Sequence, residues 1–182
     1  MSQQQPEIKT GRLLLRPFVL ADAPTVQRLA GAREIADTTL LIPHPYPDGA
    51  AENFINGVAK EWLEGKTSVF AINFADTGKL CGSIGLMIES KYSRAEMGYW
   101  VGVPFWGQGI CTEAARGLLQ FGFGTLNLNR IHAHHFARNP ASGAVLRKLG
   151  MKHEGHLRQH IRKNDTFEDL VCYGLLRSEF VP

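Results

Sequence analysis

Residues 95–114 read Ala95-Glu-Met-Gly-Tyr-Trp-Val-Gly-Val-Pro-Phe-Trp-Gly-Gln-Gly-Ile-Cys-Thr-Glu-Ala114. A predicted strand, Ala95 to Val103, runs into a short glycine turn that opens directly into an amphipathic helix. The first backbone N–H groups of such a helix have no partner within it, and the positive end of the helix dipole lies behind them. Gly107 and Gly109 remove side chains that would keep a phosphate away. The stretch therefore predicts an anion-binding turn.

Two common phosphate-binding motifs do not match this turn. A P-loop ends in Gly-Lys-Ser/Thr, whereas here Gly109 is followed by Ile110 and Cys111. A dinucleotide fingerprint has a third glycine where this sequence has Thr112. It also has an acidic residue about 20 positions later, where this sequence reads Asn129-Arg-Ile-His132. Both of these nucleotide-binding schemes are therefore excluded.

The rest of the chain predicts one mixed α/β domain. The 182 residues are 44% apolar and 20% charged, which suits a single domain with a buried core. Strands are predicted over residues 12–17, 68–75, 80–89, 95–103 and 130–136, with two more strands at the end of the chain. Helices are predicted over 23–30 (with Asp22 as N-cap), around 54–63, from 107 to 124 and over 141–149. Because the strands between 68 and 103 follow one another directly, this part of the sheet should be antiparallel.

Composition narrows the classes of function. We expect a loose N-terminal tail over residues 1–9 and the domain over 10–182. No apolar run approaches the roughly 20 residues that cross a bilayer, and the N-terminus lacks signal-peptide features, so a cytoplasmic protein without membrane contact is expected. The three cysteines form no CxxC pair, so neither a disulfide framework nor a structural metal site is predicted. A formal charge of +3 is well below that of a dedicated nucleic-acid binder.

The glycine turn resembles the coenzyme A loop of the GNAT acetyltransferases, whose pattern is Gln/Arg-x-x-Gly-x-Gly/Ala before a helix. Gly109 matches the fourth position, whereas Trp106 and Cys111 depart from the first and sixth. The run Trp106-Gly-Gln-Gly-Ile-Cys-Thr-Glu-Ala114 is similar to the RimJ/RimL branch of that superfamily, the ribosomal-protein N-terminal acetyltransferases and their relatives. In the family pattern the sixth position is a small residue, and Cys111 fills it here.

Three more segments carry the same resemblance in the same order along the chain. They are Thr10-Gly-Arg-Leu-Leu-Leu-Arg-Pro17, Asn139-Pro-Ala-Ser142 with Val145-Leu-Arg-Lys-Leu-Gly-Met151, and Tyr173-Gly-Leu-Leu176. The resemblance implies a single-domain GNAT fold of the α/β (α+β) class. Its central sheet would be mixed, mostly antiparallel and flanked by helices, with strands that splay apart at the coenzyme A site.

The resemblance also implies an activity and a co-substrate. The protein would transfer an acetyl group from acetyl-CoA to a primary amine, on a protein N-terminus or a small molecule, by direct attack in a ternary complex and without a metal. Val101 and Val103 would offer backbone groups to the pantetheine arm as a neighbouring strand does, and Asn139 would bond the same arm. The pyrophosphate would lie on Gly107, Gln108, Gly109, Ile110, Cys111 and Thr112. A backbone N–H of residues 99–103 would stabilise the oxyanion.

Acetyl transfer needs one group to take the proton of the amine and another to protonate the leaving thiolate. Glu96, on the strand before the glycine turn, is the candidate base; the alternative is an ion pair with Arg94. Many superfamily members place a tyrosine on the helix after the asparagine, where this sequence has Leu146. The RimJ/RimL branch offers a serine instead, and Ser142 matches it; the alternative for Ser142 is a helix cap.

Other features leave alternatives open. On a strand, His132 and His134 face one side and His135 the other, so a substrate-groove lining is favoured over a metal site. The proline-rich loop 38–49 and the segment 153–168 should shape the acceptor pocket. One rival function is a non-catalytic acyl-CoA-binding sensor or interaction module, and another is an RNA-associated protein, although nucleic-acid binding is not expected. A homodimer also remains open.

Overall fold

The computed structural model describes residues 4–181, and its framework is one eight-stranded sheet. The strands are β1 (Ile8–Lys9), β2 (Leu13–Arg16), β3 (Thr67–Phe74), β4 (Leu80–Glu89), β5 (Arg94–Val101), β6 (Arg130–Phe136), β7 (Lys152–Lys163) and β8 (Thr166–Leu176). Their order in the sheet is β1-β2-β3-β4-β5-β6-β8-β7. All neighbours are antiparallel except β5 and β6, which are parallel. The expectation of a mixed, mostly antiparallel sheet is confirmed.

Helices occupy the connections between the strands. They are α1 (Ala23–Ala30), α2 (Arg33–Thr38), α3 (Ala50–Leu63), α4 (Ile110–Gly124) and α5 (Pro140–Lys148). The sequence did not predict α2, because its six residues are too few to display a helical period, although Ile35 and Ala36 are buried. No helix within residues 4–181 is long and apolar enough to span a bilayer.

The hydrophobic core holds α4 tightly against the sheet. Gly122 faces the sheet so closely that a Cβ there would lie 2.7 Å from Ile131 Cδ1 and 3.1 Å from Leu86 Cδ1. The fully buried side chains at this interface are Leu13, Leu15, Ile84, Leu86, Ala114, Ala115, Leu118, Leu119 and Ile131. Each large apolar side chain removed from water contributes about 1.5–3 kcal/mol, so this packing fixes α4 on the face of the sheet.

The sheet opens between β5 and β6. Paired residues run only from Arg94 to Glu96 on β5 and from Arg130 to His132 on β6. β5 continues to Val101 and β6 continues to Phe136. The two strands therefore diverge beyond their short paired segment, and the splay that the family resemblance implies is confirmed.

Two predicted boundaries around the glycine turn were wrong. β5 ends at Val101 rather than residue 103, because Pro104 cannot donate to a ladder and Val103–Phe105 form a 3₁₀ turn. α4 begins at Ile110 rather than 107, because Gly107 and Gly109 have φ values of +74° and +76°. A right-handed helix does not contain such residues.

The N-terminal part of the chain also differs from the expectation. Residues 1–3 of the expected tail lie outside the described residues, and Ile8–Lys9 pairs with β2, ahead of the domain start expected at residue 10. Asp22 precedes α1 as predicted, but its side chain does not cap the helix. Instead it accepts hydrogen bonds from both Arg16 Nη atoms at 2.8 Å and from Val19 N at 3.0 Å.

Candidate active site

The free edge of β5 borders the gap between β5 and β6. Gly102 N–H donates to Cys81 O of β4 at 2.8 Å. Because successive residues of a strand direct their backbone groups to opposite edges, the backbone groups of Val101 and Tyr99 point away from β4, into the gap. Trp106 Nε1 donates to Val101 O at 2.6 Å, so the carbonyl of Val101 is engaged while its N–H faces the gap.

Val103 does not extend this edge, and its predicted place on the strand was wrong. It lies in the 3₁₀ turn, where its carbonyl accepts a hydrogen bond from Trp106 N at 3.2 Å. Of the two valines predicted to offer backbone groups, only Val101 is on the strand that borders the gap.

The glycine turn presents the N-terminus of α4 at the mouth of the same gap. Gly109 occupies the N-cap position and has no side chain with which to cap the helix. The N–H groups of Ile110, Cys111 and Thr112 therefore have no acceptor within α4. A Cβ at Gly107 would meet no atom within 4 Å, so the turn leaves open space on that side. Exposed N–H groups with the helix dipole behind them suit a phosphate.

Glu113 fixes the position of this turn. It accepts hydrogen bonds from Thr10 Oγ1 at 2.7 Å, Arg12 N at 2.7 Å and Arg12 Nε at 2.8 Å. Burial alone would raise the pKa of Glu113, but these hydrogen bonds outweigh it and hold the pKa below its usual value. Arg12 Nη2 in turn donates to Gln108 O at 3.1 Å. The turn before β2 is thereby fastened to both the glycine turn and α4.

A groove of about 480 Å³ lies beside the N-terminal half of α4. Gly109 and Thr112 line it together with three basic residues, Lys9, Arg116 and Lys148. Positive side chains next to free N–H groups favour an anionic ligand. Burial raises the pKa of the neighbouring Cys111 thiol, which opposes the thiolate that a nucleophile would require.

A pair of hydroxyl groups faces the gap from the α5 side. Tyr99 OH lies 2.8 Å from Ser142 Oγ. Asn139 begins α5, and its Oδ1 accepts from Ser142 N at 3.3 Å, so the helix cap is Asn139 and not Ser142. Leu146 is fully buried in the core. Burial raises the pKa of Tyr99, which keeps its phenol protonated at neutral pH.

From the sequence, only the backbone of Tyr99 was expected to contribute, and the role of its hydroxyl was missed. The available signal was the alternation of side chains along β5, which places Tyr99 on the face opposite Glu96. That Tyr99 meets Ser142 on this face depends on how α5 packs, which no local pattern in the sequence specifies.

Glu96 lies between two histidines on the other face of the sheet. Its Oε1 is 3.1 Å from His134 Nδ1, and its Oε2 is 3.9 Å from His132 Nε2. Burial lowers the pKa of His132, and Glu96 only partly opposes that shift, so this imidazole is neutral at pH 7. The alternative ion pair with Arg94 was wrong, because Arg94 forms two hydrogen bonds of 2.9 Å with Glu89.

His135 faces away from this cluster, as the alternation on a strand predicts. Its Nδ1 lies 2.8 Å from Phe136 O, and its buried ring sits beneath Gly143 of α5. Within residues 4–181, no group of three or more His, Cys, Asp or Glu side chains is placed to hold a metal ion.

Lys163 connects the two segments that were predicted to shape an acceptor pocket. It ends β7, and its Nζ donates to the carbonyl groups of Thr39, Leu40 (3.3 Å) and Ile42 (3.0 Å). Burial lowers the pKa of this ammonium group. The hairpin of β7 and β8 is thereby fastened to the proline-rich loop.

Comparisons with known proteins agree with this geometry. Residues 12–152 match the family model described as an acetyltransferase (GNAT) domain. The chain is 33% identical over 173 residues to the uncharacterized N-acetyltransferase p20 of Bacillus licheniformis, which covers 94% of this chain and 96% of that protein. It is 24% identical over 143 residues to the ribosomal protein uS5-alanine N-acetyltransferase of Escherichia coli (strain K12). That match covers 76% of this chain and 72% of that protein.

A solved structure extends the agreement to the fold. Mycobacterium smegmatis RimJ in complex with CoA-disulfide superposes with a TM-score of 0.88, covering 97% of this chain and 90% of that one. The two sequences are 22% identical, so this likeness concerns the fold alone.

Proposed function

Because the chain belongs to the GNAT acetyltransferase family, we propose that it transfers the acetyl group of acetyl-CoA to a primary amine by direct attack in a ternary complex. One observation carries the proposal. The gap between β5 and β6 brings together an open strand edge, an uncapped helix N-terminus and the hydroxyl pair of Tyr99 and Ser142. Acetyl-CoA requires all three: a strand edge for its pantetheine arm, N–H donors for its pyrophosphate and a proton donor for its leaving sulfur.

The described residues fit acetyl-CoA in this gap. The pantetheine arm would run along β5 as a neighbouring strand does, using the N–H of Val101 and the backbone of Tyr99. The pyrophosphate would accept hydrogen bonds from the N–H groups of Ile110, Cys111 and Thr112. Gly107 and Gly109 allow close approach, since both adopt φ values that other residues avoid.

The chemistry follows from the two faces of β5. The amine nitrogen attacks the thioester carbon, a C–N bond forms, the C–S bond breaks and coenzyme A leaves as a thiolate. A backbone N–H of β5 facing the gap stabilises the oxyanion. The Tyr99–Ser142 hydroxyl pair gives a proton to the thiolate. The amine loses its proton on the other face, where Glu96 and its histidine neighbours lie.

The acceptor is a primary amine that enters on the Glu96 face, between the proline-rich loop and the β7–β8 hairpin that Lys163 joins. The Escherichia coli relative is named for the N-terminal alanine of a ribosomal protein, which makes a protein N-terminus one acceptor to test. A small-molecule polyamine is the other.

A non-catalytic acyl-CoA sensor is not favoured. Its support was the absence of a tyrosine at Leu146, but Tyr99 supplies a phenol next to Ser142 from the strand instead of the helix. A sensor needs no proton donor at the sulfur, whereas a transferase does.

Thermal unfolding with ligands tests the co-substrate. Acetyl-CoA or coenzyme A at 100 times its dissociation constant should stabilise the protein by about 2.7 kcal/mol. For a chain of this size that is roughly 5–10 °C in Tm. ATP and NAD at the same concentration should have no effect. A shift with ATP or NAD that equals the shift with acetyl-CoA would contradict the proposed site.

Initial rates test the order of events. With acetyl-CoA and the amine varied together, direct transfer predicts intersecting double-reciprocal lines and no acetylated enzyme by mass spectrometry. Parallel lines together with a stable acetyl-enzyme would instead indicate a covalent route.

A further inference from the structure

The carboxylate of Glu96 does not face the gap alone, because His134 stands next to it. Glu96 Oε1 lies 3.1 Å from His134 Nδ1, and the two side chains are 33% and 28% exposed. His134 is two residues beyond His132, the last residue of β6 that pairs with β5. It therefore lies on the diverging part of β6, where an amine on the Glu96 face would approach the gap.

Proton affinity favours the imidazole over the carboxylate as the group that receives the proton. A primary amine titrates at about pH 10, an imidazole at about 6.5 and a glutamate carboxyl at about 4.3 in unperturbed peptides. A base is most effective when its pKa is near the working pH. An imidazole that presents Nδ1 to a carboxylate has Nε2, on the far edge of the ring, as its acceptor nitrogen.

We propose that His134 is the catalytic base, accepting the amine proton at Nε2, and that Glu96 is a positioning residue that holds the proton on Nδ1. This inference rests on the proposed acetyl transfer. As the C–N bond forms, the nitrogen releases its extra proton to His134 Nε2. The thiolate takes a proton from the Tyr99–Ser142 pair, so the products are the acetylated amine and coenzyme A. Solvent then removes the proton from His134 and restores the one that the hydroxyl pair gave.

The charged groups around this cluster leave Glu96 as the partner that acts on His134. Glu89 of β4 is bonded to Arg94 of β5, and Arg130 of β6 is bonded to Glu154 of β7. Each of these pairs is neutral as a unit.

Two further titratable groups face the cluster, and both are neutral near pH 7. His132 has a pKa that burial lowers. Cys172 of β8 lies directly across the ladder from His134, and burial raises the pKa of its thiol. Glu96 therefore supplies the net charge beside the two imidazoles.

The first test compares matched histidine variants on two probes, a peptide with a free N-terminal alanine and spermidine. His134→Gln should lower kcat about 100-fold or more, leave the KM for acetyl-CoA unchanged and remove the acid limb of the kcat/KM profile. His132→Gln, on the same strand face but farther from Glu96, should lower kcat less than tenfold and retain that limb. Equal losses for the two variants, or an intact acid limb in His134→Gln, would overturn the assignment.

A double-mutant cycle separates the two roles. Residues that act as one unit are non-additive, so Glu96→Gln combined with His134→Gln should be no slower than His134→Gln alone. If the fold-loss in kcat of the double variant equals the product of the two single losses, Glu96 takes the proton independently of His134. Retention of the acetyl-CoA-induced rise in Tm identifies variants that are folded.

A readout without turnover keeps the two proposals apart. In the wild type, ¹⁵N chemical shifts of the His134 ring should show the proton on Nδ1 and none on Nε2 above neutral pH. A proton on Nε2 would overturn the inference, whatever the rates. If the wild-type protein acetylates neither probe, the proposed function fails, and the ring shifts still decide where the proton is held.

Discussion

The hydroxyl groups of Tyr99 and Ser142 lie 2.8 Å apart, although one belongs to β5 and the other to the first turn of α5. Superfamily members that carry a tyrosine on this helix would have it at position 146, where this chain has a buried leucine. A phenol from the strand therefore lies beside Ser142 on a helix that itself carries no tyrosine at 146. The pair supplies two hydroxyls on one side of the gap, opposite the face of Glu96.

Removing the phenol tests its role at the leaving sulfur. Tyr99→Phe should lower kcat by about 10²-fold or more, because the thiolate loses its proton donor. The KM for acetyl-CoA should change little, since the backbone of β5 is kept. Tyr173→Phe is the matched control: it removes a buried phenol that accepts a hydrogen bond from Arg147 Nη1 at 3.2 Å and belongs to β8, which β6 separates from the gap. Equal kcat values for the two variants would argue against Tyr99.

The pH dependence of the wild type follows from the raised pKa of Tyr99. A general acid loses function when pH rises above its pKa. Because burial raises this pKa, the phenol remains protonated beyond the ordinary tyrosine value of about 10. Ionisation of Tyr99 should therefore cause no decline in kcat between pH 7 and about 9.5. No alkaline decline in this range should be present in the wild type and absent from Tyr99→Phe. Such a decline, present only with Tyr99, would refute the protonated phenol.

Gly109→Ala tests the left-handed turn before α4. Alanine at a φ of +76° should destabilise the fold by about 1–2 kcal/mol. The new Cβ should also weaken acetyl-CoA binding by tenfold or more, because the proposed pyrophosphate site lies on this turn. Gly57→Ala in α3, where a Cβ meets no atom within 4 Å, should instead stabilise by about 0.5–1 kcal/mol and leave binding unchanged. Calorimetry of both variants, with and without acetyl-CoA, measures the change in stability and the change in binding.

Asp22→Asn tests the ion pair that joins β2 to α1. Both oxygens of Asp22 accept from Arg16 at 2.8 Å in a half-buried setting. Loss of the charge should cost about 3 kcal/mol, or roughly 6–12 °C in Tm. Asp165→Asn, whose partner Arg162 is a surface residue, should change stability by less than about 0.5 kcal/mol.

The same pair has a defined pH signature. Burial alone would raise the pKa of Asp22, but hydrogen bonds from Arg16 and Val19 outweigh it and lower the pKa below its ordinary 3.8. The stabilisation is therefore complete above pH 3.8 and is lost as pH falls through the lower folded value. The difference in Tm between wild type and Asp22→Asn should be constant from pH 7 to 5 and shrink below 3.8. A difference that grows on acidification would contradict this sign.

Lys163→Met tests whether the loop and the hairpin act together at the acceptor. Without the ammonium group, the carbonyls of Thr39, Leu40 and Ile42 lose their common donor. The KM for the amine should rise about three- to tenfold, while the KM for acetyl-CoA stays the same. Limited proteolysis should cut the proline-rich loop faster than in Lys60→Met, whose exposed lysine lies in α3. Equal cleavage rates would show that Lys163 does not hold the loop.

The elements nearest the glycine turn could be predicted because their signals are local. The apolar run of β4 and the strand expected over residues 130–136 have bounds that agree with the structure, and the glycine turn does open into a helix, α4. The end of β5 was misplaced because the apolar pattern continues past Val101 through Val103. The restriction imposed by Pro104 outweighs that pattern.

The contacts that define the proposed chemistry depend on long-range packing. Whether Glu96 meets Arg94 or His134 depends on the register of two parallel strands that are joined through α4. Sequence alternation gives the face of each side chain but not this register. In the same way, the family motif identified Ser142, whereas the approach of Tyr99 depends on the seating of α5.

Product analysis by mass spectrometry tests the central claim most directly. The purified protein is incubated with acetyl-CoA and either the alanine-initiated peptide or spermidine, and coenzyme A release is followed in parallel. Acetyl transfer predicts an acetylated product equal in amount to the coenzyme A released, with the acetyl group on the primary amine. Both the product and the released coenzyme A should fall strongly in Tyr99→Phe. A protein that is stabilised by acetyl-CoA but acetylates neither amine would contradict the transferase assignment and support an acyl-CoA sensor.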